Sequence, residues 1–272
     1  MSDVTTQLAD SALMTAADCD FDEFVQIVEQ PTNLSDYPQP TEIALGAVVY
    51  DTATLRSALI SSTSVRAVRD ELAAALSTGP GIVVFRSAFE RSIVDRVTDV
   101  VVAIIDEEKS TSTVRGDHYG KPGANDRVWN ALEKLAVLDP DAFVEYYSND
   151  IVALATLAWL GPSYQITSQV NVVNPGGEAQ MPHRDYHLGF MTQEMAEQFP
   201  RHAHRLSPVL TLQGAIAHCD MPVETGPTLY LPNSHKFVPG YLAWRLPQFS
   251  TYFAEHHVQV PLSAGDAVFF NP

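Results

Sequence analysis

The residues best suited to chemistry crowd into one stretch, "GGEAQMPHRDYHLGF" at 176–190, where His183, Asp185 and His187 alternate with other side chains. Side chains two apart on an extended segment leave the same face, so His183 and Asp185 can reach one ion. A mononuclear iron site asks for two imidazoles and a carboxylate on one side of the metal, leaving three positions for cosubstrate and oxygen. His187 is four residues from His183, about 13 Å along an ideal strand, too far to share that ion unless the chain bends sharply. It reads as a pocket wall, as a group behind the ligands, or as an ordinary histidine.

A bare His-x-Asp is weak evidence, because nine histidines in 272 residues yield one by chance about as often as not. The chain holds a second, His218-Cys219-Asp220, running into "MPVETG", where Asp220 suits turn chemistry better than metal binding. A kinase catalytic loop is excluded: the Asn it requires five residues after the Asp is Phe190, and neither a glycine-rich phosphate loop nor Asp-Phe-Gly accompanies it. Context favours the first pair. "NPGG" ends the strand before it, and Pro182 fixes the backbone ahead of His183. That strand alternates Thr167, Gln169 and Asn171 with Ile166, Ser168 and Val170. Its polar face either lines a wet cavity and contacts a carboxylate cosubstrate, or faces solvent.

These residues need elements to hold them. From 53 to 76 the pattern is helical, with Val65, Val68, Leu72 and Leu76 at three- and four-residue steps. "STGPGIVVFR" places a turn before a short buried strand at 81–85, and "AFERSIVDRVTDVVVAIIDEE" follows as an amphipathic helix. Helical signals continue to Gly161-Pro162. Beyond them come five β-rich runs, "YQITSQVNVVNPGG", "PVLTLQGAIAHCDM", "GPTLYLPNSHKF", "HHVQVPL" and "GDAVFF", with no helical periodicity between them. That texture predicts an antiparallel sheet pair, a jelly roll or barrel, rather than a parallel α/β fold. The domain reading is an acidic arm over 1–45, with "FDEFVQIVEQ" as a short helix; a helical layer with one short strand over 46–162; and a jelly-roll core over 163–272.

Charge narrows the partners. With 16 Lys+Arg against 33 Asp+Glu the net charge is -17, and ten acids precede the first basic residue, Arg56. Nucleic acid and anionic membrane surfaces are disfavoured, because both would be repelled; a small-molecule substrate is the expected partner. No secretory signal is visible, the apolar run "IVALATLAWL" at 151–160 is too short for a bilayer, and Cys19 and Cys219 form no zinc or redox spacing. A reducing cytoplasm is the expected location; the sequence leaves the oligomeric state open.

From about residue 79 onward the sequence resembles the phytanoyl-CoA dioxygenase family of iron(II)- and 2-oxoglutarate-dependent oxygenases. The likeness rests on "GPGIVVFRSAF", "NVVNPGGEAQMPHRDYHLGF", "ETGPTLYLPNSHKF" and "LSAGDAVFFNP", in the family's order. It implies an α+β fold, a double-stranded β-helix (jelly roll) core with N-terminal helices on its larger sheet, and iron(II), 2-oxoglutarate and O2 as cofactors. It carries the metal-ligand role onto His183 and Asp185, and a carboxylate at 185 favours hydroxylation or desaturation over halogenation. In the family the "PNSHK"-like element is a loop and not a ligand, although His235 follows His183 by fifty-two residues. The distal histidine and the cosubstrate-pairing arginine follow the strand that resembles "GDAVFF". By that correspondence they fall beyond Pro272, and the core lacks its last strands; His235, His256 and His257 are the fallback third ligands. Gln169, Thr211 and Gln213 are candidates for cosubstrate contacts within the cavity. Arg127 of "GKPGANDRVWNAL" is either a positive charge for the cosubstrate or a surface arginine at a helix start. The alternatives from other classes are a non-catalytic or truncated jelly-roll binding protein and a zinc hydrolase built on His202 and His204 of "PRHAHRL", for which an Asp-His continuation is missing.

Overall fold

The computed structural model describes residues 12–111, 125–177 and 179–272. The first eleven residues of the acidic arm, and the "GKPGA" that precedes Asn125, lie outside them. Along the described residues run strands β1 (Glu42–Ala44), β2 (Ala47–Asp51), β3 (Ile82–Arg86), β4 (Asn125–Val128), β5 (Val170–Val173), β6 (Gln213–Ile216), β7 (Leu229–Tyr230), β8 (Val258–Gln259) and β9 (Ala267–Phe270). Five of them form one sheet in the order β1-β2-β3-β9-β6. β2 lies parallel to β3, and the remaining pairings in this sheet are antiparallel.

The sheet centre is apolar on both faces, which is why "AVVY" and "IVVF" are unbroken apolar runs rather than alternating ones. Val48, Tyr50, Val83, Phe85 and Phe269 pack beneath the helices. Their neighbours Val49, Ile82, Val84 and Val268 point the other way, onto Tyr230, Val260 and Leu262. The helical side is built by α2 (Thr52–Ala58), α3 (Ser62–Ser77), α4 (Arg91–Ser110), α5 (Ala131–Leu138), α6 (Pro140–Tyr147) and α7 (Asp150–Trp159), whereas α1 (Phe21–Val28) packs in a separate cluster with Leu231, Phe237 and Phe249. In α3 the buried stripe is Val68, Leu72, Ala75 and Leu76; in α4 it is Val94, Val97, Val101 and Ile104. Both follow the three-and-four spacing of one helix face.

Three expectations need correction. The helix expected over 53–76 is two helices, because Ser61 accepts from Ser64 N and Ser64 Oγ accepts from Ser61 N, a reciprocal cap that starts α3 afresh. Among the described residues between 46 and 162 there are three strands, β2, β3 and β4, rather than one. Beyond 162 each of the five β-rich runs holds a strand, β5 to β9, but helices α8 (Gln193–Ala196), α9 (Arg201–Leu206), α10 (Gly240–Ala243) and α11 (Pro247–His256) interrupt them. The architecture is a mixed α+β fold, with helices on one face of the larger sheet. β4-β5 and β7-β8 are separate two-stranded sheets, so the strands do not close into a barrel among the described residues. Nor is any described helix long and apolar enough to cross a membrane.

Candidate metal centre

β5 ends in a turn in which Gly177 N donates to Asn174 O at 2.8 Å and Gly176 adopts φ 81°. The returning chain carries His183 and Asp185 side by side, with His183 Nε2 at 3.5 Å from Asp185 Oδ1. Each side chain is also held by its second polar atom. His183 Nδ1 lies 2.6 Å from Met181 O, and since a carbonyl only accepts, Nδ1 is the donor there and Nε2 is the ring nitrogen that faces Asp185. Gln213, the first residue of β6, donates to Asp185 Oδ2. The side chains are 18% and 27% exposed, sunk but open to an entering ligand.

Burial pushes the Asp185 carboxyl up, but hydrogen bonds from His183 and Gln213 and the charges of His183 and Arg127 outweigh it and hold the group below the usual carboxylate range. Arg127 stands in β4 opposite Asn171, rather than at a helix start, with its guanidinium 5.1 Å from the centre of the Trp129 ring.

Arg184, between the pair, points the opposite way. It is buried and donates to the carbonyls of Ser234, His235 and Phe237, each at 3.0 Å. Burial lowers it to about 10, still charged at neutral pH. After Asp185 the chain does bend sharply: Tyr186 and His187 have φ of 68° and 43°. The bend carries His187 into a 3-10 turn, His187–Phe190, with its ring edge-on to Phe199 at 5.4 Å and its Nδ1 3.2 Å from Ser207 Oγ.

The other histidines have separate duties. His235 bonds through Nε2 to Ser77 O at 3.0 Å, and burial pushes it down to about 3. His256 stacks on Tyr252 at 3.9 Å, and the His257 ring stacks on Phe253 at 6.0 Å. The fallback third ligands are therefore corrected: none joins His183 and Asp185, and among the described residues no group of three or more His, Cys, Asp or Glu is assembled for a metal. His202 is exposed while His204 is buried with Nε2 on Ala196 O at 3.0 Å, so these two do not form a zinc pair. His218 lies between Thr98 Oγ1 at 2.8 Å and Tyr146 OH at 2.9 Å, whereas Asp220 accepts from Ala264 N as a turn residue.

Of the four cosubstrate candidates, Gln213 and Arg127 are brought to Asp185. Gln169 is exposed ahead of β5, and the Thr211 carbonyl accepts from Trp159 Nε1 at 2.7 Å; the described contacts of the pair include neither. Arg184 is the residue that sequence reasoning passes over. The alternation that pairs its neighbours also points it inward.

The family model for phytanoyl-CoA dioxygenase matches residues 78–272. No curated protein sequence matches the chain. Among solved structures, it is similar to a putative oxidoreductase from Salmonella typhimurium LT2 at 14% identity, covering 92% of this chain and 71% of that one with a TM-score of 0.48. It is also similar to SnoN, described as a non-heme alpha ketoglutarate dependent epimerase from nogalamycin biosynthesis, at 20% identity, covering 76% of this chain and 73% of that one with a TM-score of 0.43. Because the family match runs from the end of α3 through β9, taking in seven of the nine described strands and the paired His183 and Asp185, the chain belongs to the phytanoyl-CoA dioxygenase family.

Proposed function

We propose that the chain is an iron(II)- and 2-oxoglutarate-dependent oxygenase acting on a C–H bond of a small molecule, with His183 and Asp185 as two protein ligands of the metal. One observation carries the reading: His183 Nε2 and Asp185 Oδ1 converge at 3.5 Å while the other polar atom of each is engaged elsewhere. An imidazole whose second nitrogen is hydrogen-bonded, beside a hydrogen-bonded carboxylate, is a donor set that suits ferrous iron. Membership of the family supports the same chemistry.

When bound, the iron and its 2-oxoglutarate supply oxygen activation and oxidation of the substrate. The chain's own residues supply placement. The carbonyl of Met181 holds the His183 ring in the tautomer that presents Nε2, and Gln213 keeps the Asp185 carboxylate from turning. Arg127 lends positive charge beside Asp185, which favours a carboxylate-bearing cosubstrate. Both proposed ligands lie on one short loop, held by contacts of the chain itself before any substrate arrives.

The test is anaerobic dialysis against iron(II) with 2-oxoglutarate, followed by admission of oxygen and measurement of succinate. Wild-type protein retains iron and releases succinate; His183→Ala and Asp185→Ala retain little iron and release none above buffer. Equal iron retention in the two variants, or none in the wild type, overturns the assignment.

A further inference from the structure

On an extended segment the residue between two that share a face points the other way. Here that residue is Arg184, whose guanidinium sits in a socket made by the Ser234–Phe237 turn. Nη2 faces the carbonyls of Ser234, His235 and Phe237, each at 3.0 Å. The Tyr241 ring lies 5.4 Å away from Cζ. Gly240 closes the socket so tightly that a Cβ there would stand 2.1 Å from Arg184 Cζ.

The socket is itself anchored. Asn233, at φ 70°, donates through its backbone N–H to Pro80 O at 2.9 Å, and through Nδ2 to Val28 O at 3.3 Å and Gln30 O at 2.9 Å. His235 is tied through Nε2 to Ser77 O at 3.0 Å. "PNSHKF" thus grips the α3–β3 turn and the end of α1, and offers its carbonyls to Arg184. A guanidinium among buried carbonyls cannot change rotamer without leaving those acceptors unpaired.

We propose that Arg184 is the positioning residue of this site. Seated in its socket, it fixes the direction in which His183 and Asp185 leave the backbone, so that they converge on the opposite side, where Gln213 waits. The direction of the loop comes from a lock some fifty residues away in sequence. His235, the tempting third ligand, contributes a backbone carbonyl instead of its imidazole.

The metal half of the test rests on the reading of the pair as iron ligands; the other half does not. Three variants serve. Arg184→Met removes the donors at similar length, Arg184→Lys keeps a cation that can reach part of the socket, and Gly240→Ala changes no charge and no ligand. Gly240 is at the start of α10 with an ordinary backbone, so an added methyl acts by pushing the guanidinium out. Histidine 15N NMR of the metal-free protein reads the His183 tautomer, and Co(II) titration reads the pair as ligands.

In wild-type protein His183 gives a single Nδ1–H tautomer signature. In Arg184→Met and in Gly240→Ala, both verified as folded by their remaining amide spectra, that signature averages toward a mixture and Co(II) affinity falls about tenfold, within the range for lost supporting contacts at metal sites. Arg184→Lys lies between. Where one variant fails to fold, the others decide. Folded variants that keep both the tautomer signature and wild-type Co(II) affinity overturn the proposal. A wild type that binds no Co(II), but whose tautomer signature is lost in the variants, defeats the iron reading and leaves the positioning role standing.

Discussion

One contact per side chain decides where the free atom of each proposed ligand points. Asp185 depends on Gln213 for one of its oxygens, and His183 depends on Met181 O for its ring orientation. Gln213→Leu removes the donor while keeping side-chain volume. Divalent-metal affinity is expected to fall about tenfold with little change in melting temperature, because only a supporting contact is lost; calorimetric titration beside a thermal melt checks both. The pair was legible in the sequence because period two of an extended segment needs no knowledge of the rest of the fold. Arg184 was not. A charged residue between two candidate ligands reads as solvent-facing, and nothing local reveals three carbonyls waiting at Ser234, His235 and Phe237. Arg127 was legible as a charge but not as a strand residue, since its partner strand β5 lies more than forty positions on.

The loop that bears the site is strained where it leaves it. Tyr186 combines φ 68° with ψ 143°, a region that only glycine occupies easily, and it does so immediately after Asp185. Relieving that strain returns about 1–3 kcal/mol, against about 0.5–1 kcal/mol for the extra freedom of glycine in the unfolded chain. Tyr186→Gly is therefore expected to unfold at the same denaturant concentration or a higher one, and a loss of stability above about 1 kcal/mol would contradict the strain. Gly189 is the opposite case. A Cβ there would stand 1.8 Å from Arg184 O, backbone that cannot step aside, so Gly189→Ala is expected to destabilise by about 1–3 kcal/mol or more. Each β-rich run announced its strand, because β-branched and aromatic residues between turn formers depend on local sequence. Helix α11 was missed because the residues between "GPTLYLPNSHKF" and "HHVQVPL" were read as lacking helical periodicity; Pro247 at the first position of a helix is a starter, and Phe249, Tyr252 and Phe253 pack beside Phe21 and Phe24 of α1. Strand β1 fell inside the residues read as the acidic arm, and β2 lies in the few residues between that arm and the helical pattern that begins at 53, too short a run to announce itself; the sheet recruits β2 beside β3 from the far side of α3.

For the whole molecule, buried histidines tie stability to pH. Burial holds His218 down to about 4 and His235 to about 3, against an ordinary value of 6.5. Below pH 6.5 the unfolded chain takes up protons that the folded chain refuses. The stability from keeping each ring neutral is therefore complete above that pH and drains away as pH falls toward 4 and 3. Between pH 6.5 and 5 each site removes about 2 kcal/mol. Denaturant unfolding at pH 7, 6 and 5 should show this slope, and His218→Gln should flatten it by roughly half; an unchanged slope would mean that His218 is not held neutral between Thr98 and Tyr146. The acidic excess, by contrast, says nothing about the site, beside which Arg127 comes from a strand on the other side of the α5–α7 helices in the sequence. The most direct test of the central claim is anomalous diffraction from crystals grown with Mn(II) as a stand-in for ferrous iron. The result expected is a single strong peak within about 2.3 Å of both His183 Nε2 and an Asp185 carboxylate oxygen. A well-ordered structure with those side chains diverging, or with metal bound elsewhere and none between them, would contradict it.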